Sequence, residues 1–208
     1  VNPVISAAQA NGIEVTALHN HFMNEEPRLF FMHLHGHGET AALAHAYAEA
    51  IRPSPLFPAN QPPPSPPSGP GAAERFDTAR LAQIAGHEGQ ANGPVYKITV
   101  GRPDLQVMVM ETPITTAMGL NSWAAVAGDR DKAHIAGDIA MLEPEVNPVI
   151  AALRKNNLDV VAVHSHMLGE VPRIIFLHYY GTGPAETLAQ GFRAALDELG
   201  KHGQSMRM

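Results

Sequence analysis

The sequence predicts an α+β fold made of two related helix-strand-strand-helix units, with antiparallel or mixed sheets and helices packed on one face. Residues 146–183 match residues 1–38 at 18 of 38 positions, with a constant offset of 145 (146 − 1). Each copy contains two runs of β-branched, aromatic and other apolar residues that are typical of strands, flanked by helical patterns. The chain is therefore an internal duplication of a unit that contains both element types.

The first helix is predicted over residues 2–12. Asn2 is a suitable N-cap, Pro3 is favoured at the first helical position, and Asn11-Gly12 provide a left-handed stop. The second copy has the same punctuation at the corresponding positions.

The next two elements are predicted strands at residues 15–21 and 29–35, separated by a turn that contains Asn24 and Pro27. They form an antiparallel hairpin. A helix over residues 39–51 completes the first unit.

The strand prediction places histidines on a common face, because side chains alternate along a strand. His19 and His21 then share one face, as do His33 and His35. If the register pairs His19 with His33, directly opposed Cβ atoms lie about 4.5–5.5 Å apart. Four imidazoles would converge in this hairpin, and a second set would converge in the other copy.

A Pro-rich segment at residues 53–74 divides the chain into a first unit, 1–52, and a second unit, 75–208. So many prolines favour a semi-rigid linker over a helix or a strand. A ligand for an aromatic-lined groove is the alternative.

The second unit is predicted to begin with a helix at 78–85. Four strands are then expected, at residues 95–100, 106–111, 120–127 and 134–141. Asp138 and Glu145 are candidates to approach the second group of histidines, although the helix dipole is a sufficient explanation for Glu145.

The start of the chain aligns with the interior of the second unit. Residues 75–145 precede the second VNPV and have no counterpart before the first. We therefore expect the numbering to begin part-way through a longer precursor, with any targeting signal in the missing part. A homo-oligomer or a partner that supplies the missing strands is a further expectation.

Composition excludes several classes of protein. A net charge of −6 without a Lys/Arg cluster argues against nucleic-acid binding. There is no apolar run of about 18 residues, so no transmembrane segment is predicted. The chain has no Cys, which excludes thiolate nucleophiles and Cys-type zinc sites.

A resemblance rests on the runs VNPV, ALHNH, PR and MH of the first copy, which recur in the second copy as EVNPV, AVHSH, PR and LH. The sequence resembles the LppY/LpqO family, a bacterial domain of unknown function named after mycobacterial lipoproteins. The resemblance implies a duplicated, exported, lipoprotein-like protein in the periplasm or outside the cell. It supplies no catalytic residues. Asn20, His35 and His37 are replaced in the second copy, by Ser165, Tyr180 and Thr182.

The histidines carry the functional prediction, because eight of the 12 lie in the two matched hairpins. Neutral imidazole suits Zn²⁺ and Cu²⁺, and the H-x-H pattern on a strand aims two rings at one ion. The predicted function is transition-metal binding or sequestration, with Zn or Cu as the ion. The predicted ligands are His19, His21, His33, His35, His164, His166 and His178.

Several alternatives stay open at this point. A metal-dependent hydrolase would hold the ion with His19, His21 and His33 and use Glu25, or Glu170 in the second copy, as general base. A non-catalytic structural or assembly module would need no ion. The histidines would then be hydrogen-bonded sheet residues or an acid-sensitive switch.

Overall fold

The computed structural model describes residues 1–54 and 69–201. Within these residues the predicted α+β class is confirmed, and every strand pairing is antiparallel. The helices are α1 Asn2–Ala10, α2 Thr40–Ile51, α3 Ala72–Arg75, α4 Thr78–Ala85, α5 Val146–Lys155 and α6 Ala185–Leu196. The strands are β1 Glu14–His19, β2 Phe31–His35, β3 Gly89–Asn92, β4 Val95–Gly101, β5 Val107–Val109, β6 Thr112–Ile114, β7 Asn121–Asp129, β8 Lys132–Met141, β9 Asp159–His164, β10 Glu170–Val171 and β11 Ile175–Gly183.

A six-stranded sheet of order β3-β4-β7-β8-β11-β9 forms the centre of the protein. Alternate residues of β11 point to opposite faces. Leu177 and Tyr179 pack in the main core together with Phe192 of α6 and Leu153 of α5. The helices therefore cover one face, and His178 of β11 lies on the other.

The strand predicted at residues 106–111 and the N-cap predicted at Asn2 need correction. Residues 106–111 form no single strand, because Met110 has a left-handed φ of 54° and separates β5 from β6. Asn2 is not an N-cap: α1 already begins at Asn2, since the carbonyl of Val1 accepts hydrogen bonds from the amides of Val4 and Ile5. The left-handed stop is confirmed at Gly12, with φ of 72°.

The first hairpin forms a separate two-stranded sheet of β1 and β2. The register differs from the expected one, because His19 lies opposite Phe31 and His33 lies opposite Ala17. A bulge at Thr16 and the end of β1 at His19 set this register. His19 and His33 are still diagonal neighbours on one face, which is within reach of long side chains.

The second hairpin repeats this geometry. His164 lies opposite Phe176 and His178 lies opposite Ala162, with a bulge at Val161. Each of these positions is 145 residues beyond its counterpart in the first hairpin. The duplication therefore extends to the backbone register.

The predicted linker at 53–74 lies mostly outside the described residues, since 55–68 are not described. Its last residues are helical, contrary to the expectation, because α3 covers Ala72–Arg75. The side chain of Glu74 accepts a hydrogen bond from the amide of Gly71, which starts this helix. The division into units 1–52 and 75–208 stays a prediction.

None of the helices within residues 1–54 and 69–201 is long and apolar enough to cross a bilayer.

Candidate metal centre

The first hairpin packs against the second on the side of the main sheet away from the core helices. The Thr16 hydroxyl donates a hydrogen bond of 2.5 Å to the backbone carbonyl of His166. The ring of Phe22 meets the ring of Tyr180 edge to face, with centroids 5.8 Å apart. Residues that lie far apart in the sequence are thereby brought to one place.

The histidines of both copies meet at this contact. The ring centroids of His19 and His164 are 4.0 Å apart, and those of His21 and His178 are 3.9 Å apart. We call the group the histidine cluster, and its members are His19, His21, His33, His164, His166, His178 and Asp138. The two separate sites expected from the sequence are replaced by one shared site, because the hairpins face each other.

The cluster has approximate two-fold symmetry. The offset of 145 relates His19 to His164, His21 to His166, and His33 to His178. It therefore maps the pair His21 and His178 onto the pair His166 and His33, whose ring centroids are 3.7 Å apart. The separations of these two pairs are nearly equal, 3.9 and 3.7 Å, so this part of the geometry is duplicated. The symmetry is only approximate, because His19 and His178 are 4.6 Å apart whereas their counterparts His164 and His33 are 6.4 Å apart.

Three overlapping sets of side chains in the cluster are close enough to hold an ion. The ligand atoms in each set lie within 4.8 Å of one another. Four nitrogens at about 2.0–2.1 Å from a tetrahedral Zn²⁺ lie about 3.3 Å apart, so small side-chain rotations would close a set around an ion. The sets are His19, His33, His164 and His166; His19, His21 and His178; and Asp138, His166 and His178.

Several ring nitrogens of the cluster are buried without a partner. Among the described residues, both ring nitrogens of His164, both of His178 and Nε2 of His166 have no hydrogen bond. Buried polar atoms in folded proteins are nearly always hydrogen-bonded or bound to a metal. These nitrogens fit a metal ion as their partner, because imidazole nitrogen is a common ligand of transition metals.

Asp138 is the acidic member of the cluster. It lies on β8 directly opposite His178, and it is only 4% exposed. Burial raises its pKa well above the usual range. From the sequence, Asp138 was expected near the second group of histidines but not as a ligand. The available signal was a carboxylate within the otherwise apolar run of residues 135–141.

Burial also keeps the cluster histidines neutral. It lowers the pKa of His21, His33 and His164 to about 4, with a smaller contribution from neighbouring histidines. The pKa values of His166 and His178 are lowered further for the same reason. Neutral imidazoles retain the lone pairs that a metal ion needs, so the site is prepared for binding at neutral pH.

We expect the metal-free protein to lose stability as the pH falls from 6.5 to about 4. In this range an unfolded histidine takes up a proton, whereas His21, His33 and His164 in the folded protein do not. The free energy of unfolding therefore decreases as the pH decreases through this range. The raised pKa of Asp138 has the opposite effect on the free energy of unfolding, because the folded protein then binds the additional proton. The effect of this single carboxyl group is smaller than the combined effect of the histidines.

Denaturant unfolding of metal-free protein between pH 7 and 4.5 measures this effect. As a control, the double variant His33→Gln, His164→Gln should lose less stability over the same range, because two of the depressed pKa values are removed. A wild-type stability that does not change with pH would contradict the prediction.

The structure does not bring the remaining predicted site residues into the cluster. Nδ1 of His35 lies 3.2 Å from the Glu14 carboxylate. The carboxylate of Glu25 accepts a hydrogen bond from the amide of Leu29 at 3.2 Å. Glu170 accepts the equivalent bond from Ile174 at 3.3 Å. Both glutamates thus stabilise the turns of the hairpins.

A cleft of about 210 Å³ reaches the edge of the cluster. His33 and His166 form part of its wall, and apolar side chains that include Leu34, Ile114 and Phe176 form much of the rest. A small molecule in this cleft would therefore lie beside two candidate ligands.

The fold and the cluster define a duplicated α+β protein in which two hairpins build one histidine-rich candidate metal centre. The chain belongs to a family described as Domain of Unknown Function (DUF1259), whose model matches residues 1–53 and 79–198. Comparisons with curated proteins and with solved structures gave no match. The family match includes both copies of the hairpin, and hence the whole histidine cluster.

Proposed function

We propose that this protein binds a transition metal at the histidine cluster, with binding or sequestration as its function. The observation that carries the proposal is the set of buried, unpartnered ring nitrogens on His164, His166 and His178. Keeping such atoms away from water without a partner costs free energy, and a bound ion would offset this cost.

The donor set indicates the kind of ion. Six imidazoles and one carboxylate suit Zn²⁺, Cu²⁺ or Ni²⁺, whereas Mg²⁺ and Ca²⁺ prefer oxygen ligands. The chain has no Cys, so thiolate-selected ions such as Cu⁺ are disfavoured. Zn²⁺ and Cu²⁺ are the first ions to test.

We expect Zn²⁺ or Cu²⁺ to stabilise the metal-free protein against heat. An ion at about 100 times its dissociation constant adds about 2.7 kcal/mol, which corresponds to about 5–10 °C in Tm for a domain of this size. Cu²⁺ should also quench the fluorescence of Trp123, the only Trp, because its ring centroid lies 6.1 Å from that of His21.

Mg²⁺ at the same concentration is the matched control and should change neither Tm nor fluorescence. Elemental analysis of the purified protein completes the test. No bound metal, together with no gain in Tm from either ion, would overturn the proposal and leave the structural or assembly module.

A metal-dependent hydrolase is the second candidate, and the cleft beside His33 and His166 favours it. Such a cleft could admit a substrate to an open coordination position. Neither Glu25 nor Glu170 lines this cleft, so a general base for a substrate bound there would have to come from another residue. Turnover of nitrophenyl esters or phosphates that requires Zn²⁺ and is abolished by His19→Ala would select this candidate. A carrier would show no turnover.

The resemblance to the LppY/LpqO family supports a further part of the proposal, that the protein is exported from a bacterial cell. Metal sequestration is compatible with the periplasm or the cell exterior. Fractionation of cells that express the full-length protein would test this location.

A further inference from the structure

The histidine cluster offers more ligands than one transition-metal ion needs. A structural Zn²⁺ takes four ligands, and a catalytic Zn²⁺ takes three from the protein. The cluster has seven candidate ligand groups in three overlapping sets. The excess of ligands suggests that the cluster holds more than one ion. This inference rests on the proposed function.

The approximate two-fold symmetry divides the six histidines into two sets of three. The first set, triad A, is His19, His21 and His178, whose ligand atoms lie within 4.8 Å of one another. The offset of 145 converts triad A into His164, His166 and His33.

This second set, triad B, satisfies the same distance limit, because all three residues belong to the set formed with His19. Each triad takes two histidines from the H-x-H sequence of one copy and the third from the last strand of the other copy. No histidine has to be shared between the two triads.

Asp138 lies between the triads. Its Oδ1 is 3.7 Å from Nδ1 of His178, which belongs to triad A. Its Oδ2 is 3.8 Å from Nε2 of His166, which belongs to triad B. Each carboxylate oxygen therefore faces a different triad, which is the position of a carboxylate that bridges two ions. Oδ1 has no hydrogen-bond partner among the described residues.

We propose that the cluster is a dinuclear metal site, with one ion in each triad and the Asp138 carboxylate as the bridge between them. The bridging carboxylate comes from β8 of the second copy. The histidine ligands of the two ions are therefore related by the approximate symmetry, whereas both ions share one carboxylate.

The number of bound ions tests this proposal. Metal-free protein is saturated with Zn²⁺, excess ion is removed by gel filtration, and the zinc content is measured by elemental analysis. We expect two equivalents for the wild type. His21→Ala removes a ligand of triad A and should leave one equivalent. His33→Ala removes a ligand of triad B, together with the 2.9 Å contact between Nε2 of His33 and Nε2 of His19, and should also leave one. His35→Ala is the matched control outside the cluster and should retain two.

Electron paramagnetic resonance of the Cu²⁺-loaded wild type gives an independent readout that does not depend on variants folding. Two ions in a bridged site lie about 3.5–4 Å apart, and the spins should interact at that distance. We expect a half-field signal and a spin count below the total copper. Asp138→Asn should reduce the spin interaction, because the bridging carboxylate is lost.

The outcomes separate this inference from the proposed function. One equivalent in the wild type, with an isolated Cu²⁺ signal, would overturn the dinuclear site and leave metal binding intact. No bound ion would overturn both. Two equivalents that persist in His21→Ala and in His33→Ala would show that the second ion lies outside the two triads, which also overturns the inference.

Discussion

The double variant His19→Ala, His164→Ala is expected to weaken metal binding by more than about 100-fold at every ion of the cluster. These two residues face each other on the approximate two-fold axis, with ring centroids 4.0 Å apart. Each triad loses one of its three histidines. Loss of a group that merely orients a ligand typically costs 10–100-fold in affinity, so loss of a ligand should cost more.

Competition for Zn²⁺ with a chromophoric chelator measures the affinities. The control is the double variant His35→Ala, His134→Ala, which also removes two imidazoles, both from outside the cluster. His35 contacts Glu14, and Nδ1 of His134 lies 2.6 Å from the Tyr180 hydroxyl. Unchanged affinity in the His19, His164 variant would show that the ion, if bound, uses other ligands.

The local structure around the site was predictable from the sequence. The repeat, the alternation of apolar residues and the position of Pro27 identified both hairpins. An assumed pairing of His19 with His33 placed these two residues on one face, where they also lie in the structure as diagonal neighbours. The signal was strong because strand periodicity is a local property of the backbone. The register was less accurate, since it depends on a bulge at Thr16 that no residue in the sequence marks.

The assembly of the two hairpins into one cluster was not predictable. Periodicity assigns His33 and His178 to faces of strands, but it does not say which faces meet. The meeting depends on contacts between distant segments, such as the hydrogen bond from Thr16 to His166. The sequence therefore supported two histidine sites, and tertiary packing produced one.

Glu145 shows the same limit in another part of the protein. Its position beside a helix start suggested an interaction with the helix dipole, which needs no partner. The structure instead buries it completely, with Oε2 2.8 Å from Nη1 of Arg102 and Oε1 3.0 Å from Nη2. Arg102 lies 43 residues away in the sequence, and no local pattern connects the two.

Arg102→Ala should therefore be strongly destabilising, by about 3–5 kcal/mol, because it leaves the Glu145 carboxylate buried without its counter-ion. Arg102 is itself 5% exposed and also donates a hydrogen bond of 2.7 Å to the carbonyl of Ala140 on β8. Glu145 accepts further bonds from the amides of Leu142 and Gly200. Arg102 thus connects β8 with Glu145 at the start of α5, and Glu145 in turn binds the backbone at Leu142 and Gly200. Loss of the Arg102 side chain therefore affects all of these segments.

Denaturant unfolding of the metal-free protein measures the change, and Arg130→Ala is the control. Arg130 also forms an ion pair, 3.5 Å from Glu186, but its side chain is 68% exposed. Ion pairs at the surface contribute at most about 1 kcal/mol, since water screens the charges. A loss in Arg102→Ala no larger than that in Arg130→Ala would mean that water reaches Glu145 and that the ion pair does not hold β8 to the start of α5.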